Sequence, residues 1–205
     1  VSTPDPTSTP TPASTPASAP LKVVAVSGSL HAPSKTTALV NEILATLAGH
    51  IDIESSVIEL SVIGPDFTGA LVRDDLPESI ETVLQSIESA DLLVVASPVY
   101  RASVTGLFKH LFDFVGQYAL IGKPVLLAAT GGSDRHALII EHQLRPLFGF
   151  FQALTLPLGV YASDADFTDY RVSNPALQER IELALTRGRL FIRRFEPVSP
   201  HAGGW

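Results

Sequence analysis

The chain has 205 residues, room for one α/β domain and a tail, and it has no cysteine, which removes disulfides, thiolate metal sites and thiol catalysis. A formal net charge of -7 and a pI near 5.3 leave no basic stripe to neutralise phosphates, which argues against nucleic acid as the main partner. Hydrophobic residues make up 45% and the mean hydropathy is +0.27, too apolar for a disordered chain, yet no apolar run approaches the roughly 18 residues of a membrane helix. No apolar leader segment is visible, so no membrane contact is expected and the expected location is cytoplasmic.

Residues 1–20 are almost all Pro, Ser, Thr and Ala, with Asp5 the only charge and prolines at 4, 6, 10, 12, 16 and 20, and read as a disordered tail; a tail that binds another protein is the alternative. The domain is expected over 21–195, with 196–205 a flexible C-terminus. Residues 23–26 are a buried strand and 35–47 an amphipathic helix carrying Leu39, Ile43, Leu44 and Leu47 on one face, with Ser34 as its N-cap. A second strand is expected over 53–60 and a long loop over 61–77, whose 64–75 stretch is expected to fold over the site. Pro77 at the first helical position starts a helix to about residue 90. A third strand follows at 91–97, a helix at 104–115 and a fourth strand at 123–130. A long helix is predicted over 134–154, a fifth strand over 156–161, an acidic loop over 162–173, and a last helix, capped by Asn174-Pro175, to about residue 195. Apolar strands alternating five times with helices predict a five-stranded parallel sheet covered on both faces, flavodoxin-like, in the order 2-1-3-4-5.

In such sheets ligands bind beyond the carboxyl ends of the strands, and three loops gather there. The first holds Ser27, Gly28, Ser29, Ser34, Lys35, Thr36 and Thr37: hydroxyls and a cation around a helix N-terminus, an anion site suited to a phosphate. It matches neither G-x-G-x-x-G nor G-x-x-x-x-G-K-[ST], and suits the phosphate of flavin mononucleotide (FMN) better, unless it is an ordinary N-capped turn. The second, Pro98-Val99-Tyr100-Arg101-Ala102-Ser103, can lay backbone and an aromatic edge along a flavin ring. Tyr100 is otherwise core packing. Arg101 either stabilises the reduced flavin's anionic pyrimidine or is a solvated surface arginine. The third, Thr130-Gly131-Gly132-Ser133, lets backbone approach a ring closely. No dedicated acid or base is needed, since hydride moves directly from nicotinamide to flavin.

Ser27-Gly28-Ser29, the run Ser-Pro-Val-Tyr-Arg-Ala-Ser at 97–103, Ala-Thr-Gly-Gly-Ser at 129–133 and Leu-Phe-Lys-His-Leu-Phe-Asp at 107–113 resemble the NAD(P)H-dependent FMN reductase family. The runs at 135–147 and 159–162 resemble its branch of methanesulfonate and alkanesulfonate two-component monooxygenase reductases. The resemblance covers about residues 21–190. It implies FMN reduced by NADH or NADPH and released to a flavin-dependent sulfonate monooxygenase, by a homodimer or homotetramer. The three loops would hold the flavin, with Lys35 where many members carry arginine.

Pro146 lies inside the predicted long helix, where it cannot donate to the carbonyl of His142, so a kink or a one-residue π-bulge is expected. The resemblance agrees, since flavin-donating members carry a π-helix here with Tyr or His at the place of His142. That residue is either an interface histidine or one that tunes flavin release. Excess apolar residues on this helix predict a subunit interface. The six histidines show no metal-ligand spacing, so no metal is expected. A quinone or azo reductase with tightly bound FMN, or a flavodoxin-type electron carrier, are the rival readings.

Overall fold

The computed structural model describes residues 19–195; all but the last two residues of the expected tail at 1–20, and the C-terminal residues 196–205, lie outside the described residues. Strand β1 (Leu21–Ser27) leads into α1 (Lys35–Ala48), then β2 (Ile53–Glu59), a single turn α2 (Leu60–Ile63) and α3 (Glu78–Ser89). Strand β3 (Leu92–Pro98), α4 (Gly106–Asp113) and β4 (Pro124–Gly131) follow. A π-helix at Ile140–Leu144 runs into α5 (Arg145–Phe150), and the chain closes with β5 (Leu154–Thr155), β6 (Val160–Ser163), the hairpin β7 (Phe167–Thr168) and β8 (Arg171–Val172), and α6 (Pro175–Gly188).

The sheet runs β2-β1-β3-β4-β5, with β6 also paired to β4 and every pairing parallel, the order expected of a flavodoxin-like sheet. Alternation along each strand divides the core in two. Val23, Ala25, Leu92, Val94, Leu126 and Ala128 face Leu39, Ile43 and Leu47 of α1 and Ile181 and Leu185 of α6. Val24, Val26, Leu93, Val95, Val125 and Leu127 face α3, α4 and α5. There Phe112 meets Phe108 at 4.9 Å and Phe148 at 5.0 Å between ring centres, the second pair edge to face.

The structure departs from expectation in places with identifiable causes. The fifth strand is interrupted: Leu154–Thr155 and Val160–Ser163 both pair with β4, and between them Pro157 has no N–H for the ladder. Residues 134–154 are not one helix. They open with a 3-10 turn at Asp134–His136, widen to the π-helix just ahead of Pro146, and stop at Phe150. The stop is a Schellman cap: Ala153 N–H donates to Phe148 O and Gln152 N–H to Gly149 O, with Gln152 at φ 55° where glycine is usual.

Pro77 caps α3 rather than opening it, α4 starts after Thr105, and α6 ends at Gly188 rather than near 195. The acidic loop contains the β7–β8 hairpin. The 61–77 segment contains two 3-10 turns and packs along α3 and α4. Phe67 stacks on His110, and Arg73 bonds Glu81, Glu88 and the Phe114 carbonyl. Those two carboxylates hold the Arg73 guanidinium well above its already high ordinary pKa, so it stays charged.

Candidate active site

The three loops singled out in the sequence lie side by side at the carboxyl end of the sheet, because β1, β3 and β4 are neighbours in register: Ser27 pairs with Ala96, and Pro98 with Thr130. The first two are stitched together. Gly28 N–H donates to Ala96 O at 2.7 Å, Thr105 Oγ1 donates to Gly28 O at 2.9 Å, and Ser97 Oγ accepts from Thr105 N–H at 3.2 Å. Glycine is required at 28, where a Cβ would stand 2.9 Å from a Phe108 ring carbon and 3.1 Å from Ala96 O.

Not all the hydroxyls of the first loop point outward. Ser27 is fully buried and shares a 2.8 Å hydrogen bond with Thr37, whose hydroxyl also donates to Glu59 at 3.1 Å. Thr36 is buried and shares a 2.7 Å hydrogen bond with Thr130, tying the first loop to the third. Ser34 caps α1, its Oγ accepting from Thr36 N–H and Thr37 N–H at 3.1 and 3.2 Å. Ser29 Oγ donates to His31 O at 3.0 Å, and Lys35 reaches Asp164.

These braces hold the turn so that the backbone N–H groups of Ser29, Leu30, Ser34 and Lys35 meet no protein acceptor among the described residues. A run of unpaired donors at the entry of a 14-residue helix, with a lysine beside it, is the donor set a phosphate requires. The turn therefore fits the phosphate of FMN.

In the second loop Tyr100 and Ser103 exchange backbone hydrogen bonds at 2.9 and 3.0 Å, closing a two-residue turn. Its central residues, Arg101 at φ 50° and Ala102 at φ 65°, lie in the left-handed region, a conformation that costs about 1 kcal/mol or more each without glycine. Tyr100, Arg101 and Ala102 are thereby exposed above the strand ends, while Pro98 and Val99 stay half-buried, Val99 N–H donating to Thr130 O.

In the third loop a Cβ on Gly131 would collide with the Tyr161 hydroxyl, which donates to Ser133 O at 2.6 Å. Burial, helped by Asp134, Asp164 and Asp166, raises the Tyr161 phenol above its ordinary pKa, so it remains a donor. Gly132 is exposed and Ser133 half-buried. Ser103 Oγ donates to Gln143 Oε1 at 3.1 Å, linking the second loop to the π-helix, where His142 is exposed with no side-chain hydrogen bond among the described residues. The bracing residues Thr105, Glu59, Gln143 and Asp164 were not among the sequence candidates; only Thr105 left a local signal, as a helix-capping residue type three positions ahead of Phe108.

A family model described as NADPH-dependent FMN reductase matches residues 21–168. The chain is similar to the NADH-dependent FMN reductase SfnF of Pseudomonas fluorescens, 57% identical over 182 residues that cover 88% of this chain and 97% of that protein. It is also similar to an FMN reductase (NADPH) of Pseudomonas aeruginosa, 56% identical over 169 residues, 82% of this chain and 91% of the other. Among solved structures it is similar to the apo form of the NADH:FMN oxidoreductase EMOB, at a TM-score of 0.75 and 30% identity, covering 84% of this chain and 90% of that one. Fold, loop arrangement and these similarities agree that the chain belongs to the NADPH-dependent FMN reductase family.

Proposed function

We propose that this FMN reductase takes FMN as a substrate and supplies reduced FMN to a partner sulfonate monooxygenase. The observation that carries the reading is the row of unpaired N–H groups at Ser29, Leu30, Ser34 and Lys35, in a chain 57% identical to a reductase named for NADH-dependent FMN reduction. FMN accepts the hydride that NADH or NADPH gives up. Ser29, Ser34 and Lys35 hold the phosphate, and Ser27, Thr36 and Thr37 act mainly as braces that set the backbone. Pro98 to Ser103 and Thr130 to Ser133 line the ring, and the N–H groups of Arg101, Ala102, Gly132 and Ser133, which meet no protein acceptor among the described residues, serve a pyrimidine edge that gains negative charge on reduction. Arg101, exposed at the tip of its strained turn, adds a cation to that edge.

His142 belongs to the release step in this reading. It sits in the π-helix, and the neighbouring Gln143 holds the ring loop through Ser103. Leu138 and Phe150, 63% and 62% exposed on the same segment, form the face on which a second subunit packs to give a homodimer or homotetramer.

The test is NADH and NADPH oxidation by flavin-stripped protein, titrated with FMN under air. The expected result is a rate that saturates with added FMN and a protein that elutes largely colourless. A yellow protein that turns over a quinone or dye without added FMN would replace this reading with that of a reductase that keeps its flavin. Oxidation of neither nucleotide would overturn both.

A further inference from the structure

The cation of the phosphate turn is not free. Lys35 Nζ donates to Asp164 Oδ1 at 2.8 Å, across 129 residues of chain. Asp164 opens the 3-10 turn after β6 (Asp164–Asp166), and its Oδ2 lies 4.0 Å from where a Cβ on Gly132 would stand, so it sits between the first and third loops.

Its neighbour Asp166 is fully occupied by the structure, accepting from Ser163 N–H, Ser163 Oγ and Asn174 Nδ2. Asp164 is not: its side chain is 62% exposed, and Lys35 is its only side-chain partner among the described residues. Burial does not explain this carboxylate, and an ion pair this exposed contributes little stability. What it does is place a negative charge beside the donors a phosphate needs, with the lysine already engaged.

We propose that Asp164 is a residue that sets affinity for the flavin phosphate. It holds Lys35 while the turn is empty of phosphate and repels the phosphate once it arrives. The phosphate must either draw Lys35 away from Asp164 or share it with a second anion, and both weaken retention. A reductase whose product leaves gains from such a competitor, because Asp164 makes no hydrogen bond to the ring loops among the described residues and its charge acts on the phosphate end through Lys35. This inference rests on the reading of the Ser27–Thr37 turn as the phosphate site.

The experiment measures dissociation constants of FMN and of riboflavin, which lacks the phosphate, by quenching of flavin fluorescence, with wild type, Asp164→Asn and Lys35→Ala. Asp164→Asn is expected to tighten FMN by roughly 3- to 10-fold, to leave riboflavin unchanged, and to lose most of that gain at high salt. Lys35→Ala is expected to weaken FMN selectively. Should Lys35→Ala act selectively while Asp164→Asn leaves FMN unchanged or weaker, the role of Asp164 is overturned and the phosphate site stands. Should Asp164→Asn shift both flavins alike, Asp164 acts on the fold or the ring and the proposal fails. Should Lys35→Ala leave the preference for FMN over riboflavin unchanged, the phosphate site itself falls, and the inference with it.

Discussion

The two ends of the sheet both carry buried polar groups, and they use them in opposite ways. At the amino end the buried polar side chains, Lys123 and Asp91, both find protein partners. Lys123, fully buried, donates to Ala90 O and lies 3.6 Å from the centre of the Phe195 ring. Asp91 accepts from Lys22 N–H at 2.8 Å and Phe195 N–H at 2.9 Å, and Lys22 Nζ donates to Ser89 Oγ at 2.7 Å. This end fastens the start of β1 and the segment after α6 to the base of the sheet. At the carboxyl end the loop hydroxyls of Ser27, Thr36 and Thr37 are as well satisfied, but they brace a backbone that leaves a row of N–H groups without acceptors among the described residues. Buried polarity alone therefore does not mark a site; unpaired donors held in place by paired neighbours do.

The largest expected effect comes from breaking the brace at its tightest point. Gly28→Ala puts a methyl against Ala96 O and the Ser97 Cα, backbone that cannot step aside, and is expected to cost about 2–3 kcal/mol. Its urea midpoint should fall and FMN binding should be lost with it.

At the other end the probe is electrostatic. Burial lowers the Lys123 ammonium from its ordinary value to about 8. Between pH 8 and the unfolded value near 10.5, the unfolded chain holds a proton that the folded chain has lost. This group's contribution to stability therefore rises through that window, and the full cost of burying the charge is present below it. Lys123→Met removes that cost, so its stability relative to wild type should be more favourable at pH 7 than at pH 9.5 by roughly 2 kcal/mol, read from urea midpoints at the two pH values. FMN affinity should not change.

Smaller still, Ser34→Ala removes the cap of α1 and should lower stability by about 1 kcal/mol in urea titration. The smallest effect is a gain: Ala102→Gly relieves a left-handed residue and should raise stability by about 0.5 kcal/mol, net of glycine's greater unfolded freedom, by thermal melting.

Much of this was legible in the sequence, and the rest was hidden for physical reasons. Apolar runs at 23–26, 91–97 and 123–130 place three strands because they are too short for buried helices and are closed by Gly28, Pro98 and Gly131-Gly132. The loops following them then had to converge. Pro146 announced the π-helix, since its missing N–H and its ring forbid a regular turn. The end of that helix was hidden because its cap uses Gln152 rather than glycine, and the break in the edge strand because Pro157 acts through pairing with β4, not through local pattern. At the site, the hydroxyl-rich turn was readable as a list of residues but not as a division of labour. Which hydroxyls turn inward depends on Thr130 and Glu59, and Lys35 meets a carboxylate 129 positions away, contacts that no local spacing encodes.

The most direct test of the difference between the two ends is amide proton–nitrogen NMR of the flavin-free protein titrated with FMN. The expected result is that the largest shifts fall on the amides of Ser29, Leu30, Ser34 and Lys35, while those of Lys22, Asp91 and Lys123 stay in place. Unmoved amides in the turn between β1 and α1 at saturating FMN, or shifts centred on the amino end of the sheet, would contradict it.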